Sequence, residues 1–288
     1  MIDCAARSSL IASILELALR EDLGHCDITS HLTIPPELKA KARIIAKEPL
    51  VVGGMIFVRE VFSLVGGEVS VHELFDEGAT VAAGSVIAEI SGRARSLLAG
   101  ERTALNILQR VSGVSTVTRE YVERVAGLAV KIVDTRKTAP GMRMMEKYGV
   151  YLGGGANHRF GLSDGVLIKD NHIKLAGGIG VAVSRAKATY HLLKIEVEVS
   201  SLDGVREAID AGADVIMLDN MSVPAMREAV AFARGIDPRV LLEASGNVSL
   251  GNVRQIAETG VDLISVGALT HSARAVDISM KIVDSNLA

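Results

Sequence analysis

The chain has 288 residues, 49% of them hydrophobic and 23% charged, with a net charge of −3, a length that suits one large or two medium domains around a real core. No basic field is available for nucleic acid or an anionic membrane, and no Trp with only 3% aromatics argues against stacking on unpaired bases as well. Cys4 and Cys26 make neither a metal-type pair nor a disulfide framework, no apolar run nears the ~20 residues that span a bilayer, and no charged segment followed by an unbroken apolar stretch opens the chain; a cytoplasmic enzyme is expected.

Residues 8–23 read as an amphipathic helix, with Leu10, Ile11, Ile14, Leu15 and Ala18 on one face, Ser8 or Ser9 as cap and Gly24 as stop. From residue 40 to 90 the period changes. Short β-rich runs at 43–46, 50–52, 69–74 and 86–90 are separated by Gly-Gly and Glu-Gly punctuation, which predicts a compact antiparallel region. Residues 94–127 are mostly helical, with Leu97, Leu98, Ala104, Leu105, Leu108 and Val111 as the buried stripe. A domain boundary is placed between Gln109 and Gly113. The expected domains are 1–110 and 111–288, with a C-terminal helix able to pack back on the first.

The second part is more regular. Strand-like runs fall at 128–133, 165–168, 193–199, 214–218, 240–243 and 262–266. Helical patterns lie between most of them, at 179–190, 201–211, 223–234 and 250–258. Such alternation predicts parallel strands joined by right-handed crossovers. Six units are too few for a complete eight-stranded barrel. The expected fold is an incomplete, six-stranded α/β barrel, with a doubly wound open sheet as the alternative that the pattern alone leaves open.

Polar residues collect where those strands end. The first run leads into Asp134-Thr135-Arg136-Lys137 and the second into Lys169-Asp170-Asn171-His172. The third carries Glu196 and Glu198, the fourth ends in Asp219-Asn220, the fifth in Glu243-Ala244-Ser245-Gly246-Asn247, and the sixth in Gly267-Ala268. Parallel α/β folds build their sites at these ends, and buried unpaired charge is costly without a use. Arg136, Lys137, Arg159 and Lys169, with His158, form a basic set suited to a ligand with several negative charges. Glu198 and Asp219 suit Mg²⁺ beside a phosphate or a developing cation; pairing with Arg and Lys of the same pocket is the alternative. The turns at Ser245-Gly246-Asn247 and Gly267-Ala268 offer backbone N–H groups to phosphate. Gly153-Gly154-Gly155 lets the backbone lie close to a ligand or a neighbouring strand. Neither a dinucleotide fingerprint nor a P-loop is present, and His172 and His271 read as supporting or surface residues. The stretch from Glu77 to Ile87 has the rhythm of a lipoyl-domain turn, but no lysine lies between Glu48 and Lys131 to carry the group.

Asp134-Thr135-Arg136-Lys137-Thr138-Ala139-Pro140-Gly141, Gly153-Gly154-Gly155-Ala156-Asn157-His158-Arg159 and Ile168-Lys169-Asp170-Asn171-His172 together resemble quinolinate phosphoribosyltransferases. Glu101-Arg102-Thr103-Ala104-Leu105-Asn106, Glu196-Val197-Glu198-Val199, Leu218-Asp219-Asn220 and Glu243-Ala244-Ser245-Gly246 extend the likeness along the chain. The resemblance implies an N-terminal α/β sandwich, a barrel-like catalytic domain, and a homodimer in which Arg102 reaches the partner's site. It implies that Arg136, His158, Arg159 and Lys169 bind quinolinate, that Thr135 also binds substrate, and that Lys137, Glu198 and Asp219 face phosphoribosyl pyrophosphate and Mg²⁺ and act in catalysis. Mg²⁺ is held directly or through substrate and water. Ser245, Gly246, Asn247, Gly267 and Ala268 are the implied phosphate loops. A nicotinate-type enzyme without decarboxylation is the near alternative, although a monocarboxylate needs fewer cations.

Overall fold

The computed structural model describes residues 9–189 and 192–286; Cys4, the proposed cap Ser8 and the end of the expected helix at Tyr190 lie outside them. Two compact units emerge, each discontinuous in sequence. The first comprises the described parts of Met1–Arg119, Ala139–Gly154 and Ala273–Ala288; the second comprises Glu120–Thr138 and the described parts of Gly155–Ser272.

The first unit opens with α1 (Ser9–Leu23) and α2 (Ile28–Thr33), the latter capped by Asp27, whose carboxylate accepts from Ser30 N at 3.0 Å. β1 (Lys39–Ala46) alternates strictly: Lys39, Lys41 and Arg43 face out while Ala40, Ala42, Ile44 and Ala46 are buried. β2 (Leu50–Val51) follows, and then α3 (Met55–Val65). This helix falls inside the stretch expected to be antiparallel strand. Its buried Phe57, Val58, Val61 and Phe62 recur at helical spacing. Its cap comes from outside the local sequence, because the Glu77 carboxylate accepts from Gly54 N at 2.8 Å and Ile56 N at 3.1 Å.

β3 (Ser70–Glu73), β4 (Thr80–Val81) and β5 (Val86–Arg93) lead into α4 (Ala94–Arg124). Farther along the chain, β6 (Lys131–Val133) opens the second unit's sheet, and α5 (Arg143–Leu152) returns to the first unit. Gly149 and Gly153 let α5 approach α4 closely: a Cβ on Gly149 would lie 2.9 Å from Val111 O, and one on Gly153 would lie 2.5 Å from Thr118 Cβ. Gly153 therefore serves packing, not a ligand.

The remaining elements of the second unit are β7 (Val166–Ile168), α6 (Asp170–Ala176), α7 (Ile179–Thr189), β8 (Ile195–Val199), α8 (Leu202–Ala211), β9 (Val215–Asp219), α9 (Val223–Ile236), β10 (Leu241–Ser245), α10 (Val253–Ala257), β11 (Leu263–Ser265) and α11 (Ala268–His271). The chain closes with β12 (Ile278–Asn286), a strand where a helix was expected, paired antiparallel with β1 from Ala46↔Ile278 to Lys39↔Asn286. The first unit's main sheet thus runs β12-β1-β5-β3, beside a small β2-β4 pair. The two packed units part elsewhere than the expected single cut near residue 110, because α4 stays in the first unit to Arg119 and two later segments rejoin it. Sheet pairing and helix packing over long sequence separation make that division, and local sequence does not encode it.

In the second unit six parallel strands run in the order β6-β11-β10-β9-β8-β7. From β7 to β11 each strand pairs with its sequence neighbour, and the last, β11, pairs with the first, β6. Among the described residues that wrap is a ring with a single unladdered seam between β6 and β7, so the fold is the incomplete barrel and not the doubly wound sheet.

Candidate active site

Alternation along the barrel strands decides what enters the site. On β8, Ile195, Val197 and Val199 are buried on one side, so Glu196 and Glu198 share the other. The same parity brings Leu167 and Lys169, Met217 and Asp219, Glu243 and Ser245, and Ser265 to one cavity of about 450 Å³. Thr135, Arg136, Lys137, His158 and Arg159 complete its lining. Sequence-distant cations are thus gathered at the C-terminal ends of one sheet. A neighbouring cavity of about 470 Å³ shares Glu198 and Asp219 with it and is lined further by Asp170, Lys174, Ser200 and Ser201.

The basic groups are individually tethered. Lys137 N donates to Thr135 Oγ1 at 3.0 Å, and the Lys137 carbonyl accepts from Thr270 Oγ1 at 2.8 Å. Arg159 donates to Gly165 O at 2.8 Å. Burial, then the charge of neighbouring Arg136, pushes the Arg159 pKa down, with Glu196 and Asp164 opposing. Crowding two guanidiniums in this way is unfavourable without an anion between them, and arginine stays charged regardless. Lys169 Nζ lies 3.0 Å from Glu198 Oε2, so one expected anion-binding cation is paired with one expected acidic residue. Its backbone N donates to His172 Nδ1 at 3.0 Å, which makes His172 part of the turn into α6.

Beneath His158 lies an acidic floor. His158 Nε2 is 3.0 Å from Glu196 Oε2 and 3.5 Å from Glu243 Oε2, both buried. Burial foremost, then the charge of Glu196, raises the Glu243 pKa to about 7, while His158 and Lys169 pull it down. These three donors lie within 4.8 Å of one another, close enough for a metal ion. The charges of Lys169 on Glu243 and of Arg159 on Glu196 already offset the carboxylates, so the cluster reads as a charge-balanced support for His158. Glu196 and Glu243 were visible at the sequence level only as strand-end charges; the i, i+2 relation of Glu196 to Glu198 on one strand was the signal that both enter the barrel.

The small turns are built by backbone geometry. Asn220 and Asn247 hold φ of 51° and 49°, and Gly246 holds 98°. Asn247 Nδ2 donates to Asn220 Oδ1 at 3.1 Å, and any Cβ on Gly246 would collide with that same Oδ1. Ser245 lines the cavity, whereas Gly246, Asn247, Gly267 and Ala268 stand just beyond β10 and β11 without lining it. Gly267 lies between Lys137 and His271: its Cβ would be 3.1 Å from Lys137 Cδ and 2.9 Å from His271 Nε2. His271 therefore belongs to this corner, which its sequence context did not reveal. Arg102 is an exposed residue of α4 in the first unit.

Two family models match nearly the whole chain: the quinolinate phosphoribosyl transferase N-terminal domain over residues 27–112 and its C-terminal domain over residues 114–281. A Bacillus subtilis protein named "Probable nicotinate-nucleotide pyrophosphorylase (carboxylating)" is 45% identical over 267 residues, covering 92% of this chain and 91% of its own. A Methanocaldococcus jannaschii protein of the same name is 42% identical, covering 94% and 96%. Among solved structures, the nicotinate-nucleotide pyrophosphorylase from Francisella tularensis matches at 41% identity with a TM-score of 0.91, covering 95% of this chain and 96% of that one.

Proposed function

The chain belongs to the quinolinate phosphoribosyltransferase family, and from that premise we propose that its cavity joins quinolinate to phosphoribosyl pyrophosphate, with loss of carbon dioxide, to give nicotinate mononucleotide and pyrophosphate. The observation that carries this is the meeting of Arg136, Lys137, Arg159 and Lys169 with Glu198 and Asp219 around one cavity of about 450 Å³. A doubly ionised pyridine and a polyphosphate need such a set; an uncharged substrate would leave it without purpose.

Arg136, Arg159, Lys169 and His158, with Thr135, hold the two ring carboxylates and orient the ring nitrogen toward the sugar, chiefly a positioning effect. That nitrogen attacks the anomeric carbon as the bond to pyrophosphate breaks, so no protein nucleophile is needed. Positive charge grows on the sugar, where Glu198 and Asp219 oppose it, and negative charge grows on the leaving group, where Lys137 opposes it. The phosphate turns at Ser245, Gly246, Asn247, Gly267 and Ala268 bind the donor through backbone N–H groups. Once the ring nitrogen is cationic, its charge stabilises the electron pair left on the adjacent ring carbon when the carboxylate departs as carbon dioxide, and that carbon then takes a proton from water.

Glu198 and Asp219 are hard oxygen donors bordering two cavities, a donor set that fits Mg²⁺, directly or through substrate and water. Bound there, Mg²⁺ would neutralise charge on the pyrophosphate. A homodimer in which Arg102 completes the partner's site is part of the proposal; an exposed arginine on a long helix supports it. So is a cytoplasmic setting, because both substrates are multiply charged anions that a bilayer retains. Incubating the protein with quinolinate, phosphoribosyl pyrophosphate and Mg²⁺ tests the reading. Nicotinate mononucleotide should form, and its absence with both substrates intact would refute it.

A further inference from the structure

The barrel's one unladdered seam, between β6 and β7, is where His158 and Arg159 enter the cavity. On the β6 side the gap is bridged by a single residue: Ala156 N donates to Ile132 O at 2.8 Å, and Asp134 N donates to Ala156 O at 3.2 Å. Asp134, directly after β6 and with no exposed surface, then turns its carboxylate onto the same stretch. Its Oδ2 accepts from Asn157 Nδ2 at 2.7 Å and its Oδ1 from His158 N at 2.8 Å.

We propose that Asp134 is a positioning residue for substrate binding, its carboxylate taking the place of the missing strand ladder and fixing where His158 and Arg159 stand. A buried carboxylate is costly unless strong donors meet it, and here two do. The donors come from adjacent residues, one from side chain and one from backbone, so both the height and the twist of the segment are set. From Asn157 to β7 the chain has neither helix nor strand, and no ladder shares the task on that side. The proposal rests on the reading that His158 and Arg159 hold the ring carboxylates.

An exchange of the two side chains tests it. Asn157→Asp alone sets two carboxylates against each other, and the KM for quinolinate should rise roughly tenfold or more while that for phosphoribosyl pyrophosphate changes little. Adding Asp134→Asn reverses donor and acceptor, conserves volume, and should return the quinolinate KM to within about threefold of the unmodified value. A KM for quinolinate unmoved by Asn157→Asp, or no recovery in the folded double variant, would overturn the proposal, as would an equal rise in both KM values. A second readout is independent of turnover: the His158 amide should resist hydrogen exchange in the unmodified protein and lose that protection in Asp134→Ala. An unprotected His158 amide would sink the anchor even with quinolinate turnover intact, whereas a protected amide in a protein inert toward quinolinate would remove the substrate reading alone.

Discussion

The carboxyl of Glu243, sealed beneath His158 and beside Glu196, has its pKa raised from 4.5 to about 7, first by burial and then by that neighbour. Between those values the folded protein holds a proton that the unfolded chain has released, so this group's contribution to stability is lost as pH rises through that window. Glu243→Gln removes the loss. Its melting temperature relative to the unmodified protein should therefore climb from about pH 5 to about pH 8; a constant difference would mean that Glu243 ionises without penalty. In the cavity lining, Arg136→Ala or Arg159→Ala removes charge-assisted hydrogen bonds of about 2–3 kcal/mol, and the KM for quinolinate should rise roughly 30- to 150-fold. Unchanged steady-state kinetics in either variant would remove the carboxylate-binding assignment. Arg136, Lys137 and Lys169 were legible in the chain because they stand at the ends of apolar runs, and Arg159 because it follows the Gly153-Gly154-Gly155 segment. The roles of Asp134, Glu243 and His271 were not, since each acts through a partner far away in sequence.

At the scale of elements, two glycines make opposite kinds of demand. Gly246 is held at a left-handed φ against the Asn220 side chain, so Gly246→Ala should cost about 1–3 kcal/mol and distort the turn proposed for phosphate. The KM for phosphoribosyl pyrophosphate should rise, while tight donor binding in a folded Gly246→Ala variant would remove this turn from the site. Gly149 makes the other demand. A Cβ there meets the backbone of α4, and Gly149→Ala should lower the melting temperature by several degrees with little effect on either KM. The parallel strands were readable from their apolar runs and the helices between them. α3 was not, because the Gly-Gly before it reads as a turn and its cap, Glu77, lies 21 residues beyond Ile56. β12 was not either, because its strand character comes from pairing with β1 at the other end of the chain.

For the molecule as a whole, the six-unit count pointed to an incomplete barrel, and the β11–β6 pairing decides between ring and open sheet. That pairing joins the first and last strands of the unit, a relation no local pattern encodes. If Arg102 completes a partner's cavity, two separately inactive variants should complement each other. Mixing Arg102→Ala with Arg136→Ala after subunit exchange should restore about a quarter of full activity, since half the dimers would be mixed and each would hold one intact site. No recovery after proven exchange would place Arg102 outside the partner's site. The gathered cations make their strongest demand on substrate choice. The direct measurement is kcat/KM for quinolinate against nicotinate with the same donor and Mg²⁺. A pocket built for two carboxylates should favour quinolinate by at least about a hundredfold, the loss of one charge-paired group; equal or greater turnover of nicotinate would contradict the account.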